Sequence, residues 1–143
     1  MIGYGKRDDG INVVTSPMLV TQFISDLAAT CNPTSVLDPT CGVGGMLKAI
    51  QMSCSPDIIQ GVDVNQEVSR IAQTLLGEEA YIQQGDIFQS HLELKEQYDL
   101  IVADPPLNLL FRGRSSRDHL PKELQGVRLR QFAEYLAIWA CRR

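Results

Sequence analysis

With 143 residues, 44% of them hydrophobic and 21% charged, the chain holds enough apolar material for one domain with a core and too little for two. These proportions suit an ordinary globular protein, and no apolar run approaches the length of a membrane-spanning helix. The net charge of -4 speaks against a nucleic-acid partner only until it is divided along the chain: from Arg112 onward eight Lys/Arg face three Asp/Glu, so this end is net +5 and the remainder -9.

In chain order, residues 1–14 are Gly-rich and polar and read as an arm, without the apolar core of an export signal. Residues 15–143 read as one domain. The stretch TSPMLVTQFISDLAA predicts a helix with Ser16 as N-cap and Pro17 in the first helical position. Leu19, Val20, Phe23, Ile24 and Leu27 fall on one face of it. A short apolar strand, SVLDPT, follows Asn32-Pro33, and GVGGMLKAIQMS continues as a glycine-rich turn entering a helix. DIIQGVDV is a second strand and QEVSRIAQTLLG a second such helix, ended by Gly77. AYIQQGDIF and QYDLIVADPP supply a third and a fourth strand, joined through 89–96 by a short helix or a loop. A last helix from about Arg128 carries Leu129, Phe132, Ala133, Leu136, Ala137 and Ala140 at helical spacing. Strands alternating with helices predict an α/β fold with a mostly parallel sheet. A four-strand sheet ending on such a helix leaves one edge open, so the chain reads as the first part of a longer fold or as a natural truncation. Cys31, Cys41, Cys54 and Cys141 show no C-x-x-C pairing and no His nearby, which argues against disulfides and metal and fits a reducing cytoplasm.

The chemistry gathers at the strand ends. In VLDPTCGVGG a glycine turn lets a ligand approach the backbone beside a helix N-terminus, but the dinucleotide and phosphate-loop patterns are both absent. Asp38, placed before the glycines, would repel a pyrophosphate and suits a cationic group. Asp63 ends the second strand about twenty residues on, where an acidic side chain can hold ribose hydroxyls. Asp86 and Asp104 end the third and fourth. A single such aspartate is more often a turn or helix cap. Four of them delivered to the carboxyl edge of one parallel sheet, where ligands of α/β folds bind, point to a site.

Read together and in this order, TSPMLV, LDPTCGVGG, GVDVN, GDIF and ADPPLN resemble the motifs of S-adenosylmethionine-dependent DNA adenine-N6 methyltransferases. The resemblance spans Thr15 to Trp139 and is strongest to the modification subunit of type I restriction-modification systems and its single-chain relatives. It implies a Rossmann-like methyltransferase fold, truncated here after the fourth strand and its following helix, in a prokaryotic cytoplasmic protein that needs no metal. Implied partners are DNA, a specificity subunit and a restriction subunit. By the same resemblance Thr15, Ser16 and Pro17 lie against the methionine carboxylate of S-adenosylmethionine. Asp38, Thr40, Cys41, Gly42 and Gly44 line the methionine pocket, with Asp38 facing the ammonium group. Asp63 holds the ribose, Val64 lies beside the adenine, Asp86 accepts from the adenine amino group and Ile87 packs nearby.

ADPPLN then becomes the catalytic motif, Asp104, Pro105, Pro106 and Leu107. An adenine amino group is a poor nucleophile because its lone pair is delocalised into the ring. The Asp104 carboxylate and the Pro105 carbonyl, held rigidly by two prolines, would accept both amino hydrogens and favour a tetrahedral nitrogen. The DPTCGVGG turn and the basic segment after Arg112 favour DNA over N-methylation of a protein glutamine or an RNA base, while Leu107 and the abrupt end keep open a third reading, a remnant that binds cofactor only. Asp104 stands where type I subunits usually carry Asn, and Leu107 where the family usually has an aromatic to stack on the flipped base. Losing that stack costs about 1–2 kcal/mol. In a complete, active assembly Leu107→Phe should therefore raise methyl transfer to DNA about five- to thirtyfold with cofactor affinity unchanged. No gain would mean that another side chain, Phe111 being nearest, already covers the base.

Overall fold

The computed structural model describes residues 17–88, 92–105 and 132–141. Its elements are α1 (Met18–Cys31), β1 (Ser35–Asp38), α2 (Gly45–Cys54), β2 (Ile58–Asp63), α3 (Gln66–Leu76), β3 (Ala80–Gln84), β4 (Leu100–Ile101) and α4 (Phe132–Ala140). All strand pairs are parallel, and the strand order is β3-β2-β1-β4. The expected α/β fold with a parallel sheet is therefore present.

Side-chain alternation along β1 and β2 divides the core into two layers. Val36 and Ile59 face one side, where they pack with Ala28 of α1, Leu47 and Ile50 of α2, and Ala72 and Leu76 of α3. Leu37 and Val62 face the other, against Leu136 and Trp139 of α4 and Ile87. β1 is buried along its whole length, as a central parallel strand with both faces covered must be.

On that second face the β3–β4 connection replaces a helix with a polar belt. Gln60, 7% exposed in the middle of β2, donates to the Glu93 carbonyl (2.9 Å) and accepts from the Tyr98 hydroxyl. Gln83 of β3 donates to the same carbonyl (3.0 Å) and accepts from the Glu93 N–H (2.8 Å). The alternative left open for 89–96, helix or loop, resolves as irregular chain over 92–96; residues 89–91 lie outside the described part.

One expectation for the first helix changes. Pro17 is the N-cap and not the first helical residue, because its ψ of 145° is extended, and its carbonyl accepts from the Val20 and Thr21 N–H groups. Ser16, the expected cap, lies outside the described residues. The apolar face read from the periodicity is largely open: Leu19 is 80% and Phe23 65% exposed. The helix rests on α2, and only Ala28 and the partly buried Ile24 enter the core.

At the amino ends of β1 and β4 a single carboxylate oxygen gathers four donors. Asp99 Oδ2 accepts from the Thr34 N–H (2.9 Å) and hydroxyl (2.7 Å) and from the Ser35 N–H (3.0 Å) and hydroxyl (3.2 Å). These bonds, the Thr34 hydroxyl first, hold the Asp99 carboxyl below the usual carboxylate range. A depressed carboxyl stabilises the fold above its unfolded pKa, and that contribution fades as pH falls through its folded value. Asp99→Asn should thus unfold at lower denaturant than the natural chain at pH 7. The gap should close on acidification below about pH 4, which urea titrations at both pH values would measure.

Candidate active site

The strand order reverses at β1: β2 and β3 lie on one side of it and β4 on the other. Such a reversal opens a crevice at the carboxyl ends of the two diverging strands, here β1 and β4. Asp38 is the last residue of β1 and Asp63 the last of β2, while Asp86 and Asp104 follow the ends of β3 and β4. All four aspartates singled out from the sequence therefore sit along one edge of the sheet.

The turn after β1 is shaped by backbone bonds and two close approaches. Asp38 Oδ1 accepts from the Thr40 N–H (3.0 Å), the Cys41 N–H donates to the Val62 carbonyl of β2 (2.9 Å), and the Gly44 N–H to the Cys41 carbonyl (2.8 Å). Gly44 begins α2 with φ +86°, and a Cβ there would stand 3.1 Å from Leu76 Cδ1 and 3.3 Å from Ala72 Cβ of α3. The position thus demands glycine on both conformational and packing grounds. Cys41 wedges its sulfur against Gly61, where a Cβ would come within 3.0 Å of it. Burial, followed by the charges of Asp38 and Asp63, pushes the Cys41 thiol up, so it serves as an inert packing group.

Asp63 joins this turn to the next. Its Oδ2 accepts from the Gly42 N–H (3.1 Å) and its Oδ1 from the Asn65 N–H (2.8 Å). Asn65 in turn caps α3, its side chain accepting from the Glu67 and Val68 N–H groups. One further step along the edge, the Gly85 N–H donates to the Asp63 carbonyl (2.9 Å) and Gln84 Nε2 to the Val64 carbonyl (3.0 Å). Val64 is half exposed beside these bonds. Asp86 is buried and accepts from the Phe88 N–H (3.1 Å). Ile87, placed near a bound adenine by the resemblance, packs into the core layer with Leu37, Val62 and Trp139.

Asp38 is the electrostatic centre. It is fully buried, and its Oδ2, like the nearby Thr40 Oγ1, has no hydrogen-bond partner among the described residues. Desolvation foremost, then the charges of Asp63 and Asp104, raise its pKa to about 7, against the lowering effects of the Thr40 N–H and, more weakly, of the Thr40 hydroxyl close by. A buried carboxylate held by little more than one backbone N–H among the described residues, and set among like charges, fits a ligand that brings a cationic donor.

Asp38, Thr40, Cys41, Gly42, Gly44 and Asp63 are thus brought together, with Val64 and Asp86 one strand further along. Asp104 and Pro105 are half-buried past the end of β4, and the Asp104 charge is felt at Asp38. The hydrogen bonds at Pro17 run into its own helix. Thr15, Ser16, Pro106, Leu107 and Phe111 lie outside the described residues, as does the basic stretch from Arg112 to Arg130. Sequence reasoning missed Gly61, Asn65 and Gln84. A glycine inside a strand and an Asn ahead of a helix are readable signals, whereas nothing in the sequence marks Gln84. Among the described residues no helix is long and apolar enough to cross a membrane, and no group of three or more His, Cys, Asp or Glu could hold a metal ion.

The sequence model of the N-6 DNA methylase family matches residues 11–136. The chain belongs to that family. A modification subunit ascribed to a type I restriction enzyme of Vibrio vulnificus is similar in structure, with a TM-score of 0.66 at 18% identity over 90% of this chain and 30% of that one. An O-methyltransferase from Bacillus cereus, solved with S-adenosylhomocysteine, matches with a TM-score of 0.56 at 16% identity over 66% of this chain and 47% of its own. An RNA methyltransferase from Salinibacter ruber, also solved with S-adenosyl-L-homocysteine, gives 0.51 at 16% identity over 63% and 60%. These likenesses establish the Rossmann-like methyltransferase fold, and the chain spans less than two thirds of each of the three proteins. No curated protein sequence matches it significantly.

Burial of Asp38 leads to a pH dependence that is opposite in sign to that of Asp99. An unfolded aspartate ionises near pH 4, and the folded one keeps its proton to about 7. Between these values the unfolded chain binds fewer protons, so the Asp38 contribution to stability falls as pH rises and levels off above about 7. Asp38→Asn, neutral at every pH, should stabilise the ligand-free protein at pH 8 by on the order of 2–4 kcal/mol and flatten this slope. Denaturant midpoints of both proteins across pH 4–8 would check it.

Proposed function

We propose that this chain carries the cofactor site and catalytic motif of a DNA adenine-N6 methyltransferase of the restriction-modification type, with S-adenosylmethionine as cofactor. The observation that carries the reading is Asp38: a fully buried carboxylate, one oxygen of which has no partner among the described residues, at the strand-order reversal and in series with Asp63, Asp86 and Asp104. When bound, S-adenosylmethionine supplies an electrophilic methyl group on a sulfonium centre.

The chain's own residues do the rest. Asp38 gives its open oxygen to the ammonium group, which supplies the missing donor, while the turn through Thr40, Cys41, Gly42 and Gly44 lets the methionine portion lie on the backbone. By the family resemblance Thr15, Ser16 and Pro17 lie against its carboxylate. Asp63 uses two acceptor positions on the Gly42 and Asn65 N–H groups and keeps the remaining lone pairs for the ribose hydroxyls. Val64 offers an apolar face to the adenine, Asp86 accepts from its amino group, and Ile87 backs the pocket from the core. Asp104 and the Pro105 carbonyl accept the two amino hydrogens of the target base, so that its nitrogen lone pair is freed toward the methyl group. In this reading the Asp104 carboxylate takes the proton that the nitrogen releases. Pro106 holds this geometry and Leu107 lies at the base-stacking position. The basic segment after Arg112 fits the phosphate backbone, and a specificity subunit and a restriction subunit are the partners such an assembly uses. A prokaryotic cytoplasm is the compartment that offers this substrate.

Calorimetry on the full chain tests the cofactor half. S-adenosylmethionine should bind saturably and more tightly as pH rises to about 7, as Asp38 ionises. Asp38→Asn and Asp63→Ala should each weaken it about tenfold or more. Transfer of a labelled methyl group to unmethylated DNA, with and without a specificity subunit and beside an RNA control, tests the catalytic half. A folded sample that binds neither S-adenosylmethionine nor S-adenosylhomocysteine would overturn the assignment.

A further inference from the structure

Gln84 attracts no attention as sequence, and none of the site roles above falls on it. Its place in the fold is unusual. The parallel register of β2 and β3 ends at the pair Asp63↔Gln84, where the two chains part toward Val64 and toward Asp86. One backbone rung follows, from the Gly85 N–H to the Asp63 carbonyl at 2.9 Å. The next is made by a side chain, with Gln84 Nε2 donating to the Val64 carbonyl at 3.0 Å. The ladder is thus carried past the point where main chains can supply it.

The bend at 63–65 is gripped from both sides as a result. Asp63 Oδ1 holds the Asn65 N–H from within the bend, and Gln84 holds the Val64 carbonyl from the neighbouring strand. The peptide between Val64 and Asn65 is thus held at both its C=O and its N–H, directly beside the half-exposed Val64 side chain. The Gln84 amide ties the bend to the segment that delivers Asp86.

We propose that Gln84 is a positioning residue for the adenosine end of the cofactor site, holding the Val64 carbonyl so that the apolar face of Val64 and the Asp86 carboxylate keep a fixed separation. This rests on the reading of the edge as an S-adenosylmethionine site. Gln84 acts through Val64 and need not touch the ligand.

Three variants of the full chain separate this role from a general effect on stability. Gln84→Leu and Gln84→Glu both remove the amide donor, and Gln84→Lys returns an N–H donor on a side chain of similar reach. Calorimetry with S-adenosylhomocysteine and with adenosine alone should show about a three- to tenfold loss for Leu and Glu, equal for both ligands, and at least partial recovery for Lys. Asp38→Asn, which acts at the methionine end, should weaken S-adenosylhomocysteine and leave adenosine unchanged. Unfolding midpoints of the Leu and Glu variants should stay close to that of the natural chain, because the bond is exposed. Unchanged affinity in folded Gln84→Leu, with the natural chain binding normally, overturns the positioning role alone. Loss of S-adenosylhomocysteine binding without loss of adenosine binding overturns it too. Failure of the natural chain to bind either ligand overturns the site reading and this inference with it.

Discussion

A carboxylate with no access to water is the constraint around which this fold is arranged. Burying the Asp38 charge is costly, and one backbone N–H from Thr40 offsets only part of that cost. Asp63 and Asp104 add like charge in the same crevice, so the ligand-free edge is under electrostatic tension that protonation relieves. A packed apolar residue at the end of β1 would make a more stable protein. An aspartate kept there gives up stability that a cationic ligand could restore, which is the physical basis of the function proposed above.

The second organising element is the way backbone donors are shared along the edge. Asp63 accepts from one glycine-turn N–H and one helix-entry N–H, so the turn after β1 and the bend after β2 move as a unit. Close packing makes this possible. Gly61 lets Cys41 sit on the β2 backbone, and Gly44 lets α2 begin against α3. With any larger side chain the turn would lift away from β2, and the Gly42 N–H would lose its acceptor.

Much of this was legible before any coordinates, because a parallel strand buried on both faces reads as an uninterrupted apolar run and glycine and proline mark its end. SVLD, IIQGVD and AYIQQ appear as strands within a residue or two; the first two end on their aspartate, and Asp86 follows the third after one glycine. The exposure of the helix from Met18 is not readable in this way, because periodicity tells which residues share a face and not whether that face meets anything. Gln60 and Gln83 were passed over for a related reason. A polar residue in a strand is ordinarily taken as solvent-facing, and only the non-local approach of Glu93 and Tyr98 turns this pair into the belt that covers the sheet. Gln84 was hidden because its partner is a main-chain carbonyl, which leaves no trace in residue type.

The strand order also has a meaning in time. Asp38, Asp63 and Asp86 come from one continuous stretch, β1 to the end of β3, whose crossovers are short and helical, so its pairings are quick to form. β4 must return across the whole of that stretch to lie beside β1, and the link from Asp99 to Ser35 closes a separation of 64 residues. On a chain emerging from the ribosome, the edge bearing those three aspartates can therefore assemble while the segment bearing Asp104 is still being made. The crevice between β1 and β4 is the last part of the sheet to gain its second wall.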